Sequence, residues 1–260
     1  MGSPDILSLP SQQETSFIEG LFRHTWLYPD NIGADARHLN HDRLKISCII
    51  KIKNEWLFNE YQNTLRKMDN IDLPHLPYPV RTTNFRRKYG SIMNINPRKE
   101  ALLFHGTKED NIDNISNFGF SLQLAKAGLY GKMIYFSDSC QKADQYADDI
   151  NNRKRGELPM ILTRVALGKS KLFSSYPYGD RVDSQIGGRA IDNGKRFYEF
   201  MIKRDYQCYP QYIIWYTRIK DRHRNLRLHI PRPIRFGGSP HILRHRMVYE
   251  DGHLIEEIEL

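Results

Sequence analysis

Residues Phe197–Tyr216 read FYEFMIKRDYQCYPQYIIWY. Two runs rich in aromatic and β-branched residues, Phe197–Ile202 and Tyr212–Ile219, flank a short polar stretch, the pattern of two strands. Inside the first run Glu199 sits between Tyr198 and Phe200. That is an unusual place for a merely solvated acid, so Glu199 is a candidate for chemistry.

Working outward, the same reading gives a central strand at Met160–Leu167, a short buried strand at Leu102–Phe104, another at Lys132–Ser137 and a β-branched strand at Leu44–Ile52. Helical spacing of apolar residues marks Thr15–Trp26, through Phe17, Ile18, Leu21, Phe22 and Trp26, and also Trp56–Met68. Shorter helices are predicted at Asp110–Phe118 and Gln141–Ile150. Residues 70–100 carry Pro74, Pro77, Pro79 and Pro97 among basic residues, so loops are predicted there. The fold class is α+β: a mixed, mostly antiparallel sheet flanked by short helices.

Composition narrows the function classes. The chain has 260 residues, 40% hydrophobic and 27% charged, which suits one globular domain with extensions. No apolar run approaches the roughly 20 residues of a membrane-spanning helix, so no membrane partner is expected. The start MGSPDILSLPSQQE has neither a basic n-region nor an apolar h-region, so an intracellular location, nuclear or cytoplasmic, is expected. Cys48, Cys140 and Cys208 are odd in number, and no histidine stands at metal-ligand spacing from them. They are expected to be reduced and buried, with no metal site. Neither G-x-G-x-x-G nor G-x-x-x-x-G-K-[ST] occurs, which disfavours a dehydrogenase or a P-loop enzyme.

The net charge is +9 and unevenly placed. Residues 217–247 hold nine Lys or Arg against one Asp, and residues 248–260 hold five acids and no Lys or Arg. The basic segment is a possible nucleic-acid contact, although Phe236 is its single aromatic and offers no base-stacking surface.

Three segments carry the strongest signal: LLFHGT at Leu102–Thr107, LYGKMIYFSDSCQKADQYA at Leu129–Ala147, and the opening FYEFMIKRDYQCYPQYIIWY. In order and spacing they resemble the catalytic segments of the poly(ADP-ribose) polymerase family, with its diphtheria-toxin-like ADP-ribosyltransferase fold. PMILTRVALGKSKL at Pro159–Leu172 and Asp183-Ser184 extend the resemblance. It implies three parts: an N-terminal extension with one docking helix at 1–43, a catalytic domain at 44–218, and a basic then acidic extension at 219–260.

The resemblance implies an enzyme that uses NAD as co-substrate, without a metal, and passes ADP-ribose to protein acceptors, with the chain itself a candidate acceptor. Its catalytic residues would be His105, Tyr135 and Glu199. His105 would hold the adenosine-side ribose, Gly106 would offer backbone groups to the carboxamide, and Thr107 would support the same ribose. Tyr135 and Tyr146 would enclose the nicotinamide ring, as flat aromatic faces bind flat heteroaromatics. Glu199 would stabilise the positive charge that develops on the ribose as nicotinamide leaves.

Two departures stand out. Lys142-Ala143 replaces the family's Lys-Ser, losing a hydroxyl whose hydrogen bond to the carboxamide is worth about 0.5–1.5 kcal/mol. Met133 replaces the second glycine of Y-G-x-G. The chain is most similar to the compact members, many of which transfer a single ADP-ribose, whereas Glu199 is what chain-elongating members carry; the reading favours single transfer. Alternatives are a catalytically silent NAD- or ADP-ribose-binding module, encouraged by Ala143 and Met133, or a transferase acting on nucleic acid through residues 217–247.

Overall fold

The computed structural model describes residues 6–28, 30–71, 79–89, 95–96, 98–173, 182–188, 196–220, 244–250 and 253–259. The chain forms two compact units, Met1–Asp221 and Arg222–Leu260. The strands of the first are β1 (Leu7–Ser8), β2 (Arg43–Ile52), β3 (Glu100–Gly106), β4 (Ala127–Gly128), β5 (Gly131–Lys132), β6 (Ile134–Ser137), β7 (Glu157–Ala166), β8 (Ser170–Leu172), β9 (Ser184–Gly187), β10 (Glu199–Ile202) and β11 (Cys208–Ile219). Its helices are α1 (Gln12–Thr25), α2 (Glu55–Arg66), α3 (Arg81–Tyr89), α4 (Ile112–Phe118) and α5 (Cys140–Asp144).

Nine strands form one sheet in the order β1-β2-β11-β7-β3-β6-β10-β9-β8. The pairings are antiparallel except β8 with β9, which is parallel. β4 and β5 make a separate ribbon. This is the α+β architecture that the sequence predicts.

The central strands bury both faces, which is why β7 reads as a nearly continuous apolar run. Alternation sends Leu102, Phe104, Met160, Leu162, Tyr212 and Ile214 to one core, while Leu103, Ile161 and Ile213 enter a second with Phe120, Phe136 and Phe200. Helix α1 closes the first core with Phe17, Ile18, Leu21 and Phe22, each worth roughly 1.5–3 kcal/mol if fully buried. It begins at a capping box in which the Ser11 hydroxyl accepts from Glu14 N–H and the Glu14 carboxylate accepts from Ser11 N–H.

Three local expectations are corrected. The stretch 70–100 contains the nine-residue helix α3. Its start is held by a distant acid, because Arg81 donates from its backbone N–H and its guanidinium to Asp138, at 3.0 and 2.9 Å. The helix predicted at Gln141–Ile150 stops at Asp144. Beyond it Gln145, Tyr146 and Ala147 bond three residues back, the tightening that ends a helix, and Asp144 and Asp148 are drawn to Arg218. Cys140 and Cys208 are buried, but Cys48 is exposed, on a strand next to the sheet edge that β1 covers, among the described residues, only at Lys51 and Ile52.

In the second unit the described residues form an antiparallel hairpin, β12 (Arg244–Glu250) with β13 (His253–Glu259), which sets Arg244 opposite Glu259. Most of the basic segment 217–247 lies outside the described residues. Arg218, which belongs to it, is a structural cation of the first unit: its guanidinium binds Asp144 at 2.9 Å and Asp148 at 2.5 Å. Among the described residues no helix is long and apolar enough to cross a membrane.

Candidate active site

The site begins where β3 and β6 meet in a single pair, Phe104 opposite Ser137. Ser137 is paired on its other side with Glu199, the first residue of β10. Phe104, Ser137 and Glu199 therefore form a row across three adjacent strands, and neighbouring strands lie about 4.8 Å apart. His105 follows Phe104, while Tyr135 lies two residues before Ser137 on the strand next to Glu199.

His105 and Tyr135 are tied directly. The His105 Nδ1 is 2.7 Å from the Tyr135 carbonyl oxygen, and because a carbonyl only accepts, Nδ1 carries the proton. Packing between Phe120 and Phe136, with ring centroids 4.9 and 5.6 Å away, desolvates the imidazole and lowers its pKa; the Tyr135 carbonyl opposes this. The ring is thus neutral and offers Nε2 as an acceptor for a hydroxyl. The Tyr135 phenol donates to the Gly131 carbonyl at 2.7 Å and accepts from Tyr130 N–H at 3.1 Å. Burial raises its pKa, the Tyr130 N–H works the other way, and the Glu199 charge adds to the rise.

Gly106 is fixed by close approach. A Cβ there would lie 1.8 Å from the Ala143 carbonyl oxygen and 3.2 Å from the Tyr146 Cβ, so no larger residue fits without moving α5. Ala143 is 3% exposed, inside the first core. Met133, at 2% exposed, is turned inward as well. Thr107 is buried, its hydroxyl accepting from Asn111 Nδ2 at 3.0 Å and so free to donate its own proton.

Lys142 joins these parts. Its ammonium lies 3.0 Å from Glu199 Oε1, 2.8 Å from Asp35 Oδ2 and 2.9 Å from the Tyr146 hydroxyl, which donates to the same Asp35 oxygen at 2.7 Å. Burial alone would lower the Lys142 pKa, but Tyr146, Glu199 and Asp35 outweigh it and hold the group charged. Burial opposes ionisation of Asp35 too, and the Lys142 ammonium reverses the effect, leaving its pKa lowered. One ammonium between two carboxylates leaves a net negative charge beside Glu199, the sign that stabilises a developing cation. Above it the Tyr146 ring is 45% exposed, pinned at its hydroxyl and able to offer a flat face.

Sequence reasoning singled out His105, Gly106, Thr107, Tyr135, Ala143, Tyr146 and Glu199, and it read Lys142 only as part of a departure from the family motif. Lys142 precedes Tyr146 by four residues, the spacing of one helix face. Asp35 was missed, and nothing local marks it: it comes from the turn Ala34–Ala36, more than a hundred residues before its partners. The turn is held by Arg153, whose Nη2 donates to the Asp35 carbonyl at 2.6 Å. Among the described residues no cluster of three His, Cys, Asp or Glu side chains gathers as for a metal.

Comparison with known proteins identifies the family. Residues 33–187 match the family described as the poly(ADP-ribose) polymerase catalytic domain. The match includes Asp35, His105, Tyr135, Lys142 and Tyr146 and ends before Glu199. Over 180 residues, 67% of the chain, the sequence is 27% identical to the protein mono-ADP-ribosyltransferase PARP14 of Homo sapiens. The chain spans 9% of that relative's length.

Proposed function

The chain belongs to the poly(ADP-ribose) polymerase catalytic-domain family, and on that premise we propose that it is an NAD-dependent ADP-ribosyltransferase that transfers single ADP-ribose groups to protein acceptors, with His105, Tyr135 and Glu199 as its catalytic residues. The observation that carries the residue roles is the Phe104–Ser137–Glu199 row, with His105 bonded to the Tyr135 main chain beside it.

The chemistry follows from the charges. When the bond from ribose to nicotinamide breaks, its electron pair goes to the departing ring and positive charge gathers on the ribose. The Glu199 carboxylate, steadied by Lys142, is placed to stabilise that charge and to accept hydrogen bonds from the ribose or the incoming acceptor. Neutral His105 accepts from the other ribose through Nε2. The Tyr146 face and Tyr135 hold the nicotinamide, and the Gly106 backbone faces its carboxamide. Such a set of residues fits NAD without a metal.

Single transfer is supported by the similarity to a relative named as a mono-ADP-ribosyltransferase. Incubating the purified chain with NAD labelled in the adenylate, then resolving protein-bound label by size, tests the reading. A discrete shift of the protein band is expected. A ladder of long polymers would overturn single transfer, and no protein-bound label with NAD still consumed would overturn the protein acceptor.

A further inference from the structure

Away from the site, α1 and α3 border a groove of about 800 Å³. Gln12 and Ser16 line one end, Arg23 and His24 the other, over a floor that includes Phe17 and Phe85. The α1 residues share one face through the spacing of the helix. Among the described residues no acid lines the groove, and Lys88, three residues after Phe85 and so on the same face of α3, is exposed. Glu19 stands four residues before Arg23, yet among the described residues the two form no ion pair within 4.0 Å. His24 reports the local field: burial first, then the charges of Lys88 and Arg81, lower its pKa.

The cationic end is joined to the catalytic strands. After α1, the backbone N–H groups of Leu27 and Tyr28 donate to Gln141 Oε1 at 3.2 and 3.0 Å, on the helix that bears Lys142. At the start of α3, Arg81 pairs with Asp138, next to Ser137, and its guanidinium lies 5.9 Å from the centre of the Tyr198 ring, next to Glu199. A chain lying along the groove thus has its cationic end at the elements that hold the site.

We propose that this groove docks an acidic peptide segment of the protein acceptor, with carboxylates at Arg23 and Lys88 and main chain along Gln12 and Ser16. The inference rests on the transferase reading above and names the chemistry of its acceptor. Charge complementarity selects an anionic partner. The floor selects a peptide over a nucleic acid, because Phe17 and Phe85 are only 8% and 7% exposed and present no open ring faces for stacking bases.

The test is fluorescence anisotropy on the full chain with a labelled glutamate-rich peptide, its glutamine counterpart and a single-stranded oligodeoxynucleotide as probes. The glutamate peptide is expected to bind, more weakly as salt rises. The double substitution Arg23→Glu, Lys88→Glu is expected to weaken it about fivefold or more, as when exposed pairs are lost and reversed, and the milder Arg23→Gln, Lys88→Gln to act in the same direction. Nicotinamide release from NAD without acceptor should be unchanged in both. No binding by the parent, equal affinity in all three proteins, or an oligonucleotide bound as tightly as the peptide would each overturn the proposal. Loss of NAD cleavage in the parent itself would instead count against the transferase reading, and peptide binding is read independently of it.

Discussion

The Lys142 ammonium lies 3.0 Å from Glu199 Oε1 while also touching Asp35 Oδ2 at 2.8 Å, so one cation spaces two carboxylates at the site. Removing it leaves like charges facing each other with no cation between them. Breaking a fully buried pair costs about 3–5 kcal/mol; with Asp35 46% exposed the Lys142→Met loss should be nearer 2 kcal/mol. Thermal unfolding should show it as a lowered melting temperature, and transfer should fall with it. An unchanged melting temperature would mean that the three groups are solvated independently.

Asp35 pins the Tyr146 ring by accepting from its hydroxyl. Asp35→Ala removes one of the two bonds that hold the ring, the other being from Lys142, while leaving Glu199 paired, so KM for NAD should rise about fivefold, as for about 1 kcal/mol of lost binding, with kcat affected less. Asp35→Asn keeps an acceptor and should recover part of the loss. Steady-state kinetics of the two variants decides this, and a fall in kcat alone would place Asp35 in the chemical step.

Neutral His105 sets a pH window. Its folded pKa is lowered below the ordinary value of 6.5, so the unfolded chain takes up the proton first as pH falls. The stability held by the neutral ring is complete above 6.5 and is lost as pH drops through the lowered folded value. In His105→Gln the decline in melting temperature between neutral and mildly acidic pH should therefore be shallower than in the parent. In the parent, the acid limb of kcat/KM should lie below pH 6.5. A limb above 6.5 would contradict a neutral Nε2 acceptor.

Gly106→Ala tests the packing beneath the site. The added methyl would fall 1.8 Å from the Ala143 carbonyl oxygen, a backbone atom that cannot rotate away. Overpacking of this kind costs about 1–3 kcal/mol, so a clear drop in melting temperature and loss of NAD binding are expected. Wild-type stability in the variant would mean that α5 shifts freely.

Much of this site was legible in the sequence because its parts lie on strands with their own patterns. Leu102–Phe104 and Lys132–Ser137 read as strands, and the residues after or within them inherit fixed places in the sheet. Glu199 drew notice for its aromatic neighbours, and the structure places it in register with Ser137. What stayed hidden is tertiary. Helix α3 takes its N-terminal anion from Asp138, 57 positions away in sequence, and α5 is cut short by an arginine on β11. Asp35 reaches Lys142 across 107 positions. Propensity and periodicity report on neighbours in the chain, and none of these partners is one.

The central claim is that Glu199 stabilises the charge that forms as nicotinamide leaves. Glu199→Gln keeps a group of the same size that can still accept from Lys142, so folding and NAD affinity should change little. The initial rate of nicotinamide release at saturating NAD should fall at least about tenfold, corresponding to about 1.4 kcal/mol of transition-state stabilisation. A folded variant that releases nicotinamide and labels acceptor at the parent rate would contradict the account.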